Sequence, residues 1–121
     1  MEAIYQRHKG KAEFFVVYIR EAHPVDGWRM TVNDLEGVVY KQPTNAEERT
    51  AVAKACQAGL KLSIPMLIDG ADDAVGKAYA AWPDRLYIVG KTGRIAYRGR
   101  PGPGGFDPAE MEQALANLLA P

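Results

Sequence analysis

The segment Glu21-Ala22-His23-Pro24-Val25-Asp26-Gly27-Trp28 is the densest cluster of groups able to do chemistry in this 121-residue chain. An imidazole between two carboxylates can take up or deliver a proton near neutral pH, so His23, with Glu21 beside it, is an acid/base or proton-relay candidate. The competing reading is a turn in which Asp26 bonds to backbone and His23 merely precedes a proline, and spacing alone favours that turn. The only thiol, Cys56, falls on the apolar stripe of a helix, away from any helix N-terminus or cationic cluster. That environment suits a buried, inert cysteine better than a nucleophile; a redox role through an intermolecular disulfide is the weaker alternative. Trp82-Pro83, just before an apolar strand, fits either a cis-proline that offers backbone polar groups to a ligand or an ordinary helix stop, and the pattern favours the stop.

Other polar clusters lead elsewhere. Residues 99–105 are glycine-rich with prolines interspersed but lack the Gly-Lys-Ser/Thr ending of a phosphate loop, and read as a rigid connector. Asp69, Asp72 and Asp73 lack calcium-loop spacing. The two histidines, His8 and His23, do not stand at ligand spacing, so neither a metal nor another cofactor is called for.

The elements that must position these residues alternate in type. Residues 1–9 read as the tail of a helix closed by Gly10, without a capping residue at its start. Residues 13–19 (EFFVVYI) form a continuous apolar run, the pattern of a strand covered on both faces in a parallel sheet. The stretch from Arg20 to about Thr44 is irregular, with a possible short element at 37–40. Asn45, with Glu48 three residues on, begins a second helix that ends at Gly59 and turns Val52, Ala55 and Cys56 inward. A strand at 65–68, a turn at Asp69-Gly70 and a helix over 72–81 with Val75 and Tyr79 on one face follow. Strands at 85–89 and 94–98 are joined as a hairpin by residues 90–93. Asp107-Pro108-Ala109-Glu110 opens a last helix with Met111, Ala114, Leu115 and Leu118 as its core stripe. Alternation of this kind implies one α/β sheet with helices on both faces and an antiparallel hairpin at one edge.

Composition narrows the function classes. Fifteen basic residues balance fifteen acidic ones and 47% of the chain is hydrophobic, as in a single soluble domain spanning 1–121. Zero net charge gives no general electrostatic case for nucleic acid or anionic lipid. No apolar run is long enough to span a bilayer, and no signal-peptide pattern opens the chain. One cysteine allows no internal disulfide, which fits a reducing, cytoplasmic location.

Taken together, the run Phe14-Phe15-Val16-Val17-Tyr18-Ile19-Arg20 leading into Glu-Ala-His-Pro-x-Asp-Gly-Trp resembles the iodothyronine deiodinase family, a branch of the thioredoxin-like superfamily. So does Ala78-Tyr79-Ala80-Ala81-Trp82-Pro83-Asp84-Arg85-Leu86-Tyr87-Ile88-Val89, with Gly93-Arg94-Ile95-Ala96-Tyr97 and Gly102-Pro103 after it. The likeness covers nearly the whole chain and is strongest to bacterial deiodinase-like proteins, which carry cysteine where the vertebrate enzymes carry selenocysteine. It implies a thioredoxin-like fold and reductive chemistry, in which a thiol or selenol attacks and a histidine relay supplies the proton. By that resemblance Glu21 and His23 match the family's acid and histidine pair, Pro83 matches the thioredoxin-like cis-proline, and Trp28 and Pro83 are substrate-binding positions.

Two departures shape the expectation. In the family, the first core strand and the loop bearing the cysteine or selenocysteine precede the helix whose tail is residues 1–9, so the nucleophile is expected to be missing from this chain. The vertebrate enzymes also use a second histidine downstream of Asp-Gly-Trp, and residues 33–48 contain none. Without the first strand, the strands at 13–19 and 85–89 would face each other with unpaired backbone; they either pair directly or are covered when two copies associate. Two functions follow. One is a deiodinase-like oxidoreductase domain, short at its N-terminus, that meets a thiol reductant or a small-molecule substrate. The other is a non-catalytic thioredoxin-like module that binds a partner or forms a homodimer through its exposed core edge.

Overall fold

The computed structural model describes residues 1–20 and 43–121. The element order is α1 (Glu2–His8), β1 (Val16–Tyr18), α2 (Ala46–Gly59), β2 (Met66–Ile68), α3 (Ala74–Ala78), β3 (Tyr87–Val89), β4 (Ile95–Arg98) and α4 (Pro108–Leu119). The alternating α/β order expected from the sequence is therefore present; the short element expected at 37–40 lies outside the described residues.

Local signals account for most boundaries. Asn45 accepts a hydrogen bond from the Glu48 N–H and starts α2. The return bond runs one residue further back than in a simple capping box, because the Glu48 carboxylate accepts from the N–H and hydroxyl of Thr44. Asp107 accepts from the Glu110 N–H, and Pro108 occupies the first helical position of α4, where a missing N–H costs nothing. The hairpin turn at 90–93 closes by Gly93 N–H to the Gly90 carbonyl, with Gly93 at φ +81°, a conformation glycine adopts without a Cβ penalty. α1 begins at Met1 with no side-chain cap, as its sequence predicts.

The sheet departs from expectation. β1 and β2 pair in parallel, Val16 opposite Met66 and Tyr18 opposite Ile68. β3 and β4 form a separate antiparallel hairpin with an irregularity between Ile88 and Val89. Among the described residues these are two two-stranded sheets rather than one, so β1 and β3 do not pair directly. The run at 13–19 is consequently not covered on both faces: Phe15 is 57% exposed and Val17 also reaches solvent. On β3, Val89 is 51% exposed.

The buried apolar residues among those described are Ile4, Ala53, Ile64, Met111 and Leu115. They come from α1, α2, the approach to β2, and α4. Helix faces differ in detail from the apolar stripes. In α2 the buried positions are Arg49 and Ala53, with Cys56 half-buried one turn on, whereas Ala55 faces solvent. The stripe is rotated because the Arg49 guanidinium reaches inward to the carbonyls of Asp69 and Gly70, at 3.3 and 2.8 Å. In α3 Gly76 is buried and Tyr79 is exposed beyond the helix end, and the α4 stripe stops at Leu115, leaving Leu118 outside.

Side-chain clamps hold α1 at both ends. At its start Glu2 accepts from the Ser63 N–H at 2.9 Å and from the Ser63 hydroxyl. At its end Arg7 forks onto Glu112 of α4 at 2.9 and 2.8 Å, while His8 Nε2 lies 2.8 Å from the same carboxylate. The hydrogen bond from Arg7, then that from His8, hold the Glu112 carboxyl down at about 2, against an ordinary 4.5. A depressed carboxyl contributes stability above its unfolded value that is lost as pH falls through the folded one. The α1–α4 clamp is therefore expected to release between about pH 4.5 and about 2. Following the Glu112 carboxyl by NMR checks this, and Glu112→Gln should flatten that part of the acid titration of stability.

The connector at 99–105 is closely packed at its end. Gly105 is buried, and a Cβ there would lie 2.5 Å from both the Arg100 Cβ and the Pro101 carbonyl oxygen. Backbone cannot yield as a side-chain tip can, so Gly105→Ala is expected to cost about 2–3 kcal/mol in denaturant unfolding.

Candidate active site

The chain that leaves α3 is shaped by a few hydrogen bonds. Ala80 sits at φ +46°, an uncommon conformation for a residue with a Cβ, and turns the backbone back so that the Ala81 N–H reaches the Gly76 carbonyl at 2.9 Å. Arg85 holds this turn from the other side. Its Nε donates to the Gly99 carbonyl at 2.7 Å and its Nη1 to the Ala80 carbonyl at 3.2 Å, so one guanidinium ties the α3 exit to the end of β4. Between these anchors the Trp82–Pro83 peptide is cis. The Tyr87 hydroxyl donates to the Tyr79 carbonyl, and the two rings meet edge to face at 4.9 Å.

The C-terminal end of β1 meets this turn. Arg20, two residues past the strand, lies with its guanidinium 4.9 Å from the centre of the Trp82 ring, a cation–π contact that joins the two sheets. The carboxyl end of a parallel strand is where α/β folds place ligand-binding loops. Arg20 immediately precedes Glu21 in the sequence.

Sequence reasoning passed over Asp84. Its main-chain carbonyl accepts from the Gly102 N–H at 2.9 Å, and its Oδ1 is buried with no hydrogen-bond partner among the described residues. Burial pushes the Asp84 carboxyl above its ordinary range. A carboxyl that keeps its proton to higher pH can donate it, which places a second titratable group one residue from Pro83. The packing is close: a Cβ on Gly102 would run into this carboxylate. The only signal in the sequence is an Asp-Arg pair at the start of an apolar strand, which reads equally well as solvated.

Of the expected site residues, Pro83 is placed at the turn just described, while Glu21, His23 and Trp28 lie outside the described residues. Cys56 is half-buried in the last turn of α2. An open groove along the outer face of α2, lined by Ala46, Glu47, Thr50, Ala51 and Lys54, contains none of these residues. No group of three or more His, Cys, Asp or Glu side chains among the described residues could hold a metal ion, and no helix among them is long and apolar enough to cross a membrane.

Comparison with known proteins decides the family. The iodothyronine deiodinase family model matches residues 2–118. The chain belongs to the iodothyronine deiodinase family. It is 35% identical over 104 residues to type I iodothyronine deiodinase of Xenopus laevis, covering 86% of this chain and 39% of that one. It is 31% identical over 109 residues to thyroxine 5-deiodinase of Rattus norvegicus and 30% identical over 109 residues to that of Homo sapiens, each match covering 90% of this chain and 34% of the relative. This deiodinase-family chain thus spans less than two fifths of the length of these curated relatives, and the matched region contains both the histidine segment and the Pro83 turn.

Proposed function

We propose that this chain is a deiodinase-like oxidoreductase domain of thioredoxin-like fold that takes part in reductive dehalogenation, with the attacking thiol or selenol supplied from outside these residues. The reading rests on the family match over 2–118. It is supported by the Arg20–Trp82 contact, which brings the residue before Glu21 to the ring that precedes cis-Pro83. In this reading His23 delivers the proton, Glu21 orients it, and Trp28 and Pro83 line the substrate. Asp84, with its carboxyl pushed up by burial, is a proton reserve behind Pro83. The overall reaction balances as an iodinated carbon plus two thiols giving a carbon–hydrogen bond, a disulfide, iodide and one proton.

Cys56 is not assigned the nucleophile's role, because it sits half-buried in the last turn of α2, at the helix end that disfavours a thiolate. The genomic reading frame upstream of Met1 provides the test. A strand followed by a cysteine- or selenocysteine-bearing turn is expected there, and the extended protein should release iodide from an iodinated phenol in the presence of dithiothreitol. A stop codon immediately upstream, or iodide release that persists without the upstream thiol, would overturn the proposal.

A second reading is favoured by the apolar residues that the two small sheets leave in solvent, Phe15, Leu67 and Val89 among them. In it the domain is a non-catalytic module that associates with a second copy through these edges. Sedimentation of the 121-residue chain would then show a dimer that Val89→Lys dissociates, and a strictly monomeric chain would remove this reading.

A further inference from the structure

The charges of this chain balance overall, but not locally. Between Asp84 and Asp107 stand Arg85, Lys91, Arg94, Arg98 and Arg100, and no acid at all. Among the described residues none of these cations has an ion-pair partner; the carboxylate pairs there are those of Arg7 and His8 with Glu112. Part of this pattern has a simple explanation, since cations on an edge strand such as β4 discourage pairing with other chains.

That explanation does not reach the arginines at the other end of the hairpin. Arg98 stands opposite Tyr87 in the β3–β4 register, and opposite residues share a face. The Arg85 guanidinium lies 5.8 Å from the centre of the same Tyr87 ring, and Tyr79 meets that ring edge-on. Arg20 arrives from the end of β1 over Trp82. Two guanidinium–ring contacts, Arg20 on Trp82 and Arg85 on Tyr87, thus flank Pro83 in the sequence, and Arg98 stands beside Tyr87 in the hairpin register. Tyr79 and Trp82 are both more than a third exposed, and among the described residues no carboxylate pairs with the cations there. Arginine, tyrosine and tryptophan in an exposed cluster are the residues that dominate binding energy in protein interfaces, and uncompensated charge of one sign selects partners of the other.

We propose that the arginine–aromatic face formed by Arg20, Trp82, Arg85, Tyr87 and Arg98 is the docking surface for an acidic dithiol protein that serves as electron donor to the adjacent site. The proposal rests on the dehalogenation reading for the donor's role, and on geometry and charge for the docking. Once docked, the donor's two thiols close to one disulfide. Their two electrons replace the carbon–iodine bond with a carbon–hydrogen bond, one proton goes to carbon, and the other leaves with iodide.

Binding to the 121-residue chain tests the docking without requiring turnover. The probe is a reduced acidic thioredoxin, titrated by calorimetry at about 20 and about 300 mM salt. Affinity is expected to fall about tenfold across that range, as surface charge pairing is screened. Arg98→Glu and the milder Arg98→Gln should weaken binding about fivefold and about twofold at low salt. Lys54→Glu on the outer face of α2 should leave it unchanged. Salt-independent binding, indifference to Arg98→Glu, or tighter binding of a single-stranded oligonucleotide than of the acidic protein would each overturn the proposal. Iodide release driven by dithiothreitol in the extended protein, with no binding of the acidic donor, would overturn the docking surface alone and leave the dehalogenation reading standing. Salt-dependent binding that Arg98→Glu weakens would support the docking surface even if iodide release failed.

Discussion

Replacing Asp69 with alanine is expected to destabilise the protein by about 3–5 kcal/mol, a large part of the stability of a domain this size. Asp69 follows β2 and is only 5% exposed. One of its oxygens accepts from the N–H groups of Gly70 and Val75 at 2.8 and 3.0 Å, and the other accepts from that of Gly76 at 2.8 Å. Val75 and Gly76 are the second and third residues of α3, whose own cap position, Asp73, makes no capping bond. A carboxylate four residues upstream of the cap position therefore does the capping for a five-residue helix that cannot stand alone. Arg49, 4% exposed, supplies the opposite charge while bonding the carbonyls of Asp69 and Gly70.

Alanine would strand three N–H donors, that of Gly76 buried and those of Gly70 and Val75 part-buried, and would remove the negative charge nearest the buried Arg49. Asp69→Asn keeps one acceptor oxygen and should cost about half as much. Burial pushes the Asp69 carboxyl up, but the three N–H donors and Arg49 outweigh it and hold it below its ordinary value of 3.8. Its contribution is therefore complete above that value and is lost as pH falls through the lower folded one. Urea midpoints of the wild type and both variants measure the effect. A loss below about 1 kcal/mol for the alanine variant would show that α3 does not depend on this carboxylate.

The second large effect is on activity. In the extended, thiol-bearing protein of the proposed function, His23→Ala is expected to lower iodide release about 10²–10⁴-fold, the range for removing a general acid. The loss should fall on kcat and kcat/KM alike, because a proton delivered in the transition state contributes little to ground-state binding. Stability should be nearly unchanged, which separates this variant from Asp69→Ala. Glu21→Gln, which keeps a hydrogen-bonding side chain but removes the charge, should lose less. A His23→Ala protein with undiminished iodide release would leave His23 as the turn residue that its spacing alone suggests, and would move the proton source to Asp84.

How far the chain could be read in advance follows the distance over which each feature is decided. Asn45 with Glu48, Asp107 with Pro108 and Glu110, and the glycine-containing turn at 90–93 all settle their elements within four residues. Each stood where the sequence predicts it. The inward face of α2 departs from its apolar stripe because a buried arginine leaves no mark in hydropathy: Arg49 turns inward to the carbonyls of Asp69 and Gly70, some twenty residues away. Phe15 and Val17 carry a core-strand pattern, yet they remain in solvent because the sheets of β1–β2 and β3–β4 do not join among the described residues. Asp84 gave no sign of itself, since burial of its oxygen is imposed by the 99–105 connector folding back on it.

By itself, then, the sequence determined the α/β order, the starts of α2 and α4, the hairpin and the membership of the deiodinase family, because capping, turn geometry and a linear motif are local properties of the chain. Only the tertiary structure decided that Arg20 meets Trp82, that Arg85 joins Ala80 to Gly99, and that Asp69 caps a helix it does not belong to. Those outcomes depend on which distant polar groups must find partners once water is excluded, and no window of adjacent residues contains that information.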